Sequence, residues 1–362
     1  MTESTAQAQE FARAFQEETQ KTMKRYQNLV NAFAVNPSDP PMGATPKDVV
    51  WKRGKTQLFH YRPQKKDVYP VPYIIVPWLG ISRTHILDML PGNSFIEFLV
   101  KQGYDVYLVD WGEIAEEDKN LGFEEAVFKI IPKAIERALE VSNATTLTLN
   151  GICLGGTMCA SYLALNTEAP VRNFVTIVSP IDFNEGGLFK TWLDERYFPV
   201  DLIVDRYGGV PSFLMASAFK MLRPTLDAQA LSSLWFNLDR PEYIQTFKAM
   251  SKWANDYIGM PGRFFSELAH DLYFRNKLVK GEFVLKGSAV DLKKIEQPLL
   301  VVAAQQDYIV PPLSAKGLIS AVSSQEKEYV ELPGGHISVF SGRLANKTLW
   351  PKINEWLSAR SA

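Results

Sequence analysis

Short, continuously apolar runs recur along the chain, separated by stretches of helical spacing. The runs are Tyr73-Ile74-Ile75-Val76, Asp105-Val106-Tyr107-Leu108-Val109, Thr145-Thr146-Leu147-Thr148-Leu149, Val171–Val178 and Pro298–Ala304. Apolar runs of this length, rich in β-branched residues, fit strands buried on both faces. Two β patterns precede them, at Val49-Val50-Trp51 and Leu58-Phe59-His60-Tyr61, and one follows, at Glu328–Leu332. Helical spacing is read over Ser94–Gln102, Phe123–Val141, the small-residue stretch ending at Leu165, 313–322 and Trp350–Ser358. Strands alternating with helices predict an α/β fold with a mainly parallel sheet covered on both faces.

Two regions break that rhythm. From about 182 to 290 strand patterns are few, helical ones are several, and 19 of the 109 residues are aromatic. That density, above the 12% of the whole chain, predicts a helical cap inserted over the strand ends, placed to exclude water and guide a substrate. At the other break, residues 1–36 are polar but carry Phe15, Thr19, Thr22, Tyr26, Leu29 and Phe33 at alternating steps of four and three. This is a thin apolar stripe on a helix, suited to docking on its own domain or to covering by a partner chain. Asn36-Pro37-Ser38-Asp39-Pro40-Pro41 ends the helix as a linker. The expected organisation is an N-terminal helix and linker over 1–41, then a catalytic domain over 42–362 with the cap at about 182–290.

Composition narrows the function classes. With 362 residues, 46% of them hydrophobic, and a net charge of −1, the chain has ample core and no electrostatic case for nucleic acid. Its two cysteines, Cys153 and Cys159, are badly placed to pair, so no disulfide framework is expected and a cytoplasmic location fits. The four histidines, His60, His85, His270 and His336, are scattered singly without metal-ligand spacing, and no metal is expected. The polar N-terminus gives no signal-peptide pattern, and no apolar run reaches membrane-spanning length.

The chemistry centres on Asn150-Gly151-Ile152-Cys153-Leu154-Gly155-Gly156. A Gly-x-Cys-x-Gly between a strand and a helix is the setting of a nucleophile elbow, with sulfur where serine is usual. A sulfur at a helix N-terminus sits among free N–H groups that favour thiolate, and Leu154 N–H becomes a candidate oxyanion donor. The loop Trp78-Leu79-Gly80-Ile81-Ser82, after an earlier strand, supplies a second candidate, Ile81 N–H. Downstream, Asp307 follows one apolar strand, and His336 follows the next in Pro333-Gly334-Gly335-His336. Nucleophile, acid and base in that order, each just beyond a strand, is the α/β-hydrolase arrangement. Asp110 and Asp182 are rival acids, but neither precedes the histidine loop by a single βα unit. Cys159 reads as a small core hydrophobe, and His60, His85 and His270 have no assigned role. Sulfur also bears on the reaction: an acyl-Cys keeps the transfer potential of a thioester, which suits passing an acyl group from CoA to a hydroxyl.

At these residues the chain resembles the polyhydroxyalkanoate synthases. The resemblance rests on Gly151–Gly156, Ile86-Leu87-Asp88, Asp105–Gly112, Val178-Ser179-Pro180, Asn276-Lys277-Leu278 with Gly281-Glu282-Phe283, Val290-Asp291-Leu292, Asp307–Pro311 and Gly335-His336-Ile337, in order and spacing over about residues 45–358. The short length is similar to that of the two-subunit synthases of class III or IV. Pro91–Ser94 and Thr45–Trp51 lean towards class IV, found with a small helical partner. The resemblance implies polymerisation of (R)-3-hydroxyacyl-CoA, mainly 3-hydroxybutyryl-CoA, with CoA release, no cofactor beyond the CoA thioester substrate, and work at the surface of polyester granules in the cytoplasm. It implies an accessory subunit, a homodimer or both. It also implies a possible second role for Asp307, activating the 3-hydroxyl of the growing chain. One departure is Ser82, where the family usually has Asn. The alternative activity is a Cys-dependent hydrolase of the same fold, a thioesterase or polyester depolymerase. A granule-coat protein that kept the fold is the non-catalytic alternative.

Overall fold

The computed structural model describes residues 3–35 and 39–361. Residues Asn36–Ser38 of the expected linker lie outside the described residues. Eight strands form the central sheet: β1 (Lys47–Arg53), β2 (Thr56–Tyr61), β3 (Tyr73–Val76), β4 (Val106–Asp110), β5 (Leu147–Ile152), β6 (Val171–Ile177), β7 (Leu299–Ala304) and β8 (Lys327–Leu332). Their spatial order is β1-β2-β4-β3-β5-β6-β7-β8. β1 and β2 are antiparallel, as are β2 and β4, and every other neighbouring pair is parallel. This is an α/β-hydrolase fold.

The apolar runs fold as strands because both of their faces have something to cover them. Every residue of β3, β5 and β7 is buried, which takes helices on both sides of the sheet. Helix Phe95–Gln102 starts at Ser94, whose Oγ accepts from Glu97 N–H at 2.9 Å, and ends at Gly103 with φ 101°. Both signals were visible in the sequence. Its Phe98 packs on Trp350 of the last helix, Leu349–Ser358, with ring centroids 5.5 Å apart. The elbow helix, Leu154–Leu165, is buried along all but its last residue, so it carries no polar face.

After β6 the chain leaves the sheet for a helical region that includes Val200–Tyr207, Ser212–Leu222, Leu226–Phe236, Pro241–Asn255 and Gly262–Glu267, the last continuing to Phe274. The two ends of this excursion are tied together. Asn276 Nδ2 donates to Asp182 Oδ1 at 2.8 Å, and Asn276 Oδ1 accepts from Phe183 N–H at 2.9 Å.

The N-terminal helix, Glu3–Val30 with a continuation to Val35, divides the stripe that the sequence shows. Its C-terminal part lies on the helical region: Tyr26 meets Trp235 edge-on at 5.2 Å, Leu29 and Ala32 pack against Leu234, Leu238 and Ile244, and Asn28 donates to Leu238 O. Towards its start, Phe11 and Phe15 are 74% and 68% exposed. Among the described residues, no helix is long and apolar enough to cross a membrane.

Candidate active site

Cys153 sits between β5 and the elbow helix with φ 54° and ψ −130°, a conformation that non-glycine residues rarely adopt and that the surroundings must hold. They hold it by close packing. Cys153 N–H donates to Ile177 O at 3.0 Å. A Cβ on Gly151 would lie 2.3 Å from Gly156 Cα, and one on Gly155 would lie 1.9 Å from Val76 O. The glycines of the motif thus press the helix start onto the ends of β3 and β5. Leu154 opens the helix, so its N–H has no acceptor within it.

His336 comes from the loop after β8, and Asp307 from the loop after β7. These loops are laced together: Gln306 N–H donates to Gly334 O at 2.8 Å, and Gly334 N–H to Gln306 Oε1 at 2.7 Å. His336 Nδ1 and Asp307 Oδ2 are 2.7 Å apart, both side chains being buried. The other carboxylate oxygen, Oδ1, accepts from Ile309 N–H at 2.8 Å and Val310 N–H at 2.9 Å. On its other side His336 is within hydrogen-bonding reach of Cys153. Burial works against charge on the imidazole, but the Asp307 carboxylate and Cys153 outweigh it and push the His336 pKa up to about 10. The arrangement can therefore hold an imidazolium between the Asp307 carboxylate and the Cys153 sulfur.

The remaining sequence candidates fall as follows. Ile81 lies in the loop after β3 with φ 72°, directly after Gly80 with φ 77°, and pairs with Ile258 in a two-residue antiparallel ladder. Asp110 accepts from Thr84 Oγ1 and from Gly112 N–H, while Asp182 is engaged by Asn276 and Asn184, so both rival acids are committed away from His336. His60 contacts Asp105 at 2.7 Å and His270 contacts Asp201 at 3.0 Å. Cys159 is fully buried, and burial raises its thiol pKa.

Sequence reasoning missed Tyr273. Its ring packs edge-on against Phe183 at 5.0 Å. Burial, with the charges of Cys153 and Asp307 adding to it, raises its pKa and keeps it a neutral phenol. No motif marked it, because a tyrosine in a helical aromatic-rich segment looks like any core tyrosine. Trp78, 6.1 Å from Phe340, and Phe340, 6.5 Å from His336, complete an apolar wall. Cys153 is only 6% exposed. Surface cavities of about 470 and 810 Å³ open elsewhere, one beside Ile135 and Tyr162 and the other beside Lys119 and Arg206, and neither is lined by Cys153.

Comparison with known proteins decides which family of this fold the chain belongs to. The family model described as alpha/beta hydrolase fold matches residues 85–343, and that of the poly-beta-hydroxybutyrate polymerase N-terminus matches residues 8–99. The poly(3-hydroxyalkanoate) polymerase subunit PhaC of Allochromatium vinosum is 34% identical over 338 residues, covering 92% of this chain and 93% of that protein. This chain belongs to the poly(3-hydroxyalkanoate) polymerase family. The subunit of the same name from Haloferax mediterranei is 33% identical over 90% of this chain, which spans 66% of that relative's length. Among solved structures, a monoglyceride lipase of Saccharomyces cerevisiae aligns over 90% of this chain and all of its own, with a TM-score of 0.57 and 14% identity. That likeness concerns the fold alone.

Proposed function

We propose that the chain polymerises (R)-3-hydroxyacyl-CoA, chiefly 3-hydroxybutyryl-CoA, into polyester through an acyl-Cys153 intermediate. The observation that carries this reading is a sulfur nucleophile on the elbow, within reach of a histidine paired to a buried carboxylate, in a chain of the polymerase family. The Cys153 thiolate attacks the thioester carbonyl, and the new C–S bond pushes an electron pair onto the carbonyl oxygen. Leu154 N–H and Ile81 N–H are the donors for that oxyanion. On collapse the bond to CoA breaks, His336 gives its proton to the leaving sulfur, and CoA departs as the thiol. A 3-hydroxyl then attacks the acyl-Cys153 carbonyl and passes its proton to His336, and the cysteine sulfur leaves. Both oxygens of Asp307 are occupied by N–H donors, which favours Asp307 as the group that orients and stabilises His336 over a direct base for the hydroxyl. Burial behind an apolar wall disfavours water as the acceptor, hence transfer over hydrolysis.

The same reading extends to location and partners. The exposed Phe11 and Phe15 on the N-terminal helix, and the exposed Leu231 and Phe236 in the helical region, fit an accessory helical subunit or a second copy, at a cytoplasmic granule surface. The test of the activity is incubation of the purified protein with 3-hydroxybutyryl-CoA, following free CoA and turbidity together. CoA release with turbid polymer is expected. CoA release with soluble acid would instead make the chain a hydrolase, and no release, with or without a co-expressed partner, would refute the reading.

A further inference from the structure

The backbone turn that carries Ile81 is strained on its own account. Gly80 and Ile81 both have left-handed φ, 77° and 72°, and for a β-branched residue that conformation persists only where neighbours over-determine it. The neighbours come from two directions. From the core side, Trp78 Nε1 donates to Ser82 O at 3.0 Å. From the helical region, the last turn of helix Pro241–Asn255 and the stretch after it clamp the same turn. Trp253 Nε1 donates to Arg83 O at 2.8 Å, the Arg83 side chain reaches Asp256 at 3.6 Å, and Tyr257–Ile258 pairs with Ile81–Ser82. The fit leaves no slack, since a Cβ on Gly80 would lie 2.6 Å from Gly259 O.

From this we infer that Trp253 is a positioning residue for acyl transfer, fixing the Gly80–Ser82 turn in the shape that presents its N–H to the oxyanion. The inference rests on the proposed acyl chemistry at Cys153, not on polymer formation. Half of the oxyanion site is then built by the helical region, and the donor is in place only while residues 253–259 lie on the turn.

The test compares two reactions of Cys153 in the full chain. Acylation by a p-nitrophenyl ester develops an oxyanion. Alkylation by iodoacetamide displaces iodide from carbon and develops none. Trp253→Phe keeps an aromatic ring and removes the indole N–H. The expected result is a fall of roughly ten- to a hundredfold in acylation rate, with alkylation unchanged and the substrate concentration at half-maximal rate little altered. Equal falls in both reactions would make Trp253 a general prop of the fold and overturn the inference, as would a parental acylation rate. Should Trp253→Phe not fold, Asp256→Asn, which removes the carboxylate that ties Arg83 to this stretch and leaves Glu113 paired to Arg83 at 3.0 Å, is read by the same ratio, with a smaller fall expected and no fall overturning the inference. Failure of the polymerase reading is seen separately, as CoA release without polymer by the parent protein.

Discussion

Gly155→Ala is the sharpest test of the elbow, because its cost follows from one contact. An added Cβ would lie 1.9 Å from the Val76 carbonyl oxygen and 2.9 Å from the Pro77 carbonyl carbon, whereas ordinary Cβ contacts begin at 3.4 Å. The neighbours are backbone, so no side chain can rotate away. The start of the elbow helix has to retreat from the end of β3 by about 1.5 Å (3.4 less 1.9). Cys153 and Leu154 N–H ride on that helix start, while His336 and the Gly80–Ser82 turn do not. Displacing a reacting group by about 1 Å costs on the order of a hundredfold in rate, and overpacking costs about 1–3 kcal/mol of stability. A single-turnover measurement of CoA release should therefore fall about a hundredfold, with urea denaturation showing a folded protein of reduced stability. Release within about threefold of the parent rate would refute the idea that close packing of the helix on β3 sets the nucleophile.

Asp307→Asn should slow both Cys153 acylation and polymer growth, by intact-protein mass spectrometry and CoA release; an acyl-enzyme formed at the parental rate with elongation stalled would instead make Asp307 the base for the hydroxyl. For pH dependence the sign follows from a raised pKa: His336 titrates at about 10 when folded, against 6.5 ordinarily. Its contribution to stability is thus complete below about 6.5 and is lost as pH rises through about 10. The melting temperature of the parent should fall over that window more steeply than that of His336→Gln, and parallel profiles would contradict the ion-pair description.

The strands and the elbow were legible because their signals are local. β3 and β7 are apolar on every residue, β5 carries Leu147, Leu149 and Ile152 in a run that is buried throughout, and Gly151 and Gly155 are spaced by the elbow itself. The histidine loop was legible for another reason: Gly334 and Gly335 directly precede His336 after a strand, and the acid lies one βα unit upstream. Tyr273 and Trp253 were not legible, and Asn276 was visible only as part of a family motif, not for what it ties together. Each meets a partner distant in sequence, Phe183 for Tyr273, Arg83 for Trp253 and Asp182 for Asn276, and a lone aromatic or amide in a helical segment carries no mark of such a partner. The N-terminal stripe was visible as a stripe, but its cover was not. Nothing in the spacing of Tyr26 and Leu29 says that Trp235 and Leu238 will lie beneath them while Phe15 stays exposed.

On the proposed chemistry, a sealed Cys153 protects the acyl-enzyme from water, yet a polyester product needs a way out, so part of the covering region has to move. Both ends of that region are anchored. Asn276 bridges to Asp182 and Phe183 at the base, and Tyr257–Ile258 is paired to the Gly80–Ser82 turn. Helix Gly262–Glu267 is held too, with Phe264 stacked on Phe123 at 4.5 Å and Arg263 paired to Glu124 and Glu267. The helices between 200 and 236 are held by much less. Val200, Met215, Leu222 and Leu234 are the only buried positions on them, while Leu202, Phe213, Met221, Leu231 and Phe236 are more than half exposed. Few buried apolar contacts mean a low free energy of local opening. Amide hydrogen exchange in the full chain should therefore be fast over 200–236 and slow over 257–276, with Ser179–Phe183 as slow as the sheet. Opening hinged at the anchored ends would produce the opposite order. It would also pull the Gly80–Ser82 turn away from Cys153 at each opening, whereas movement confined to 200–236 lets the chain leave while the oxyanion site stays assembled for the next transfer.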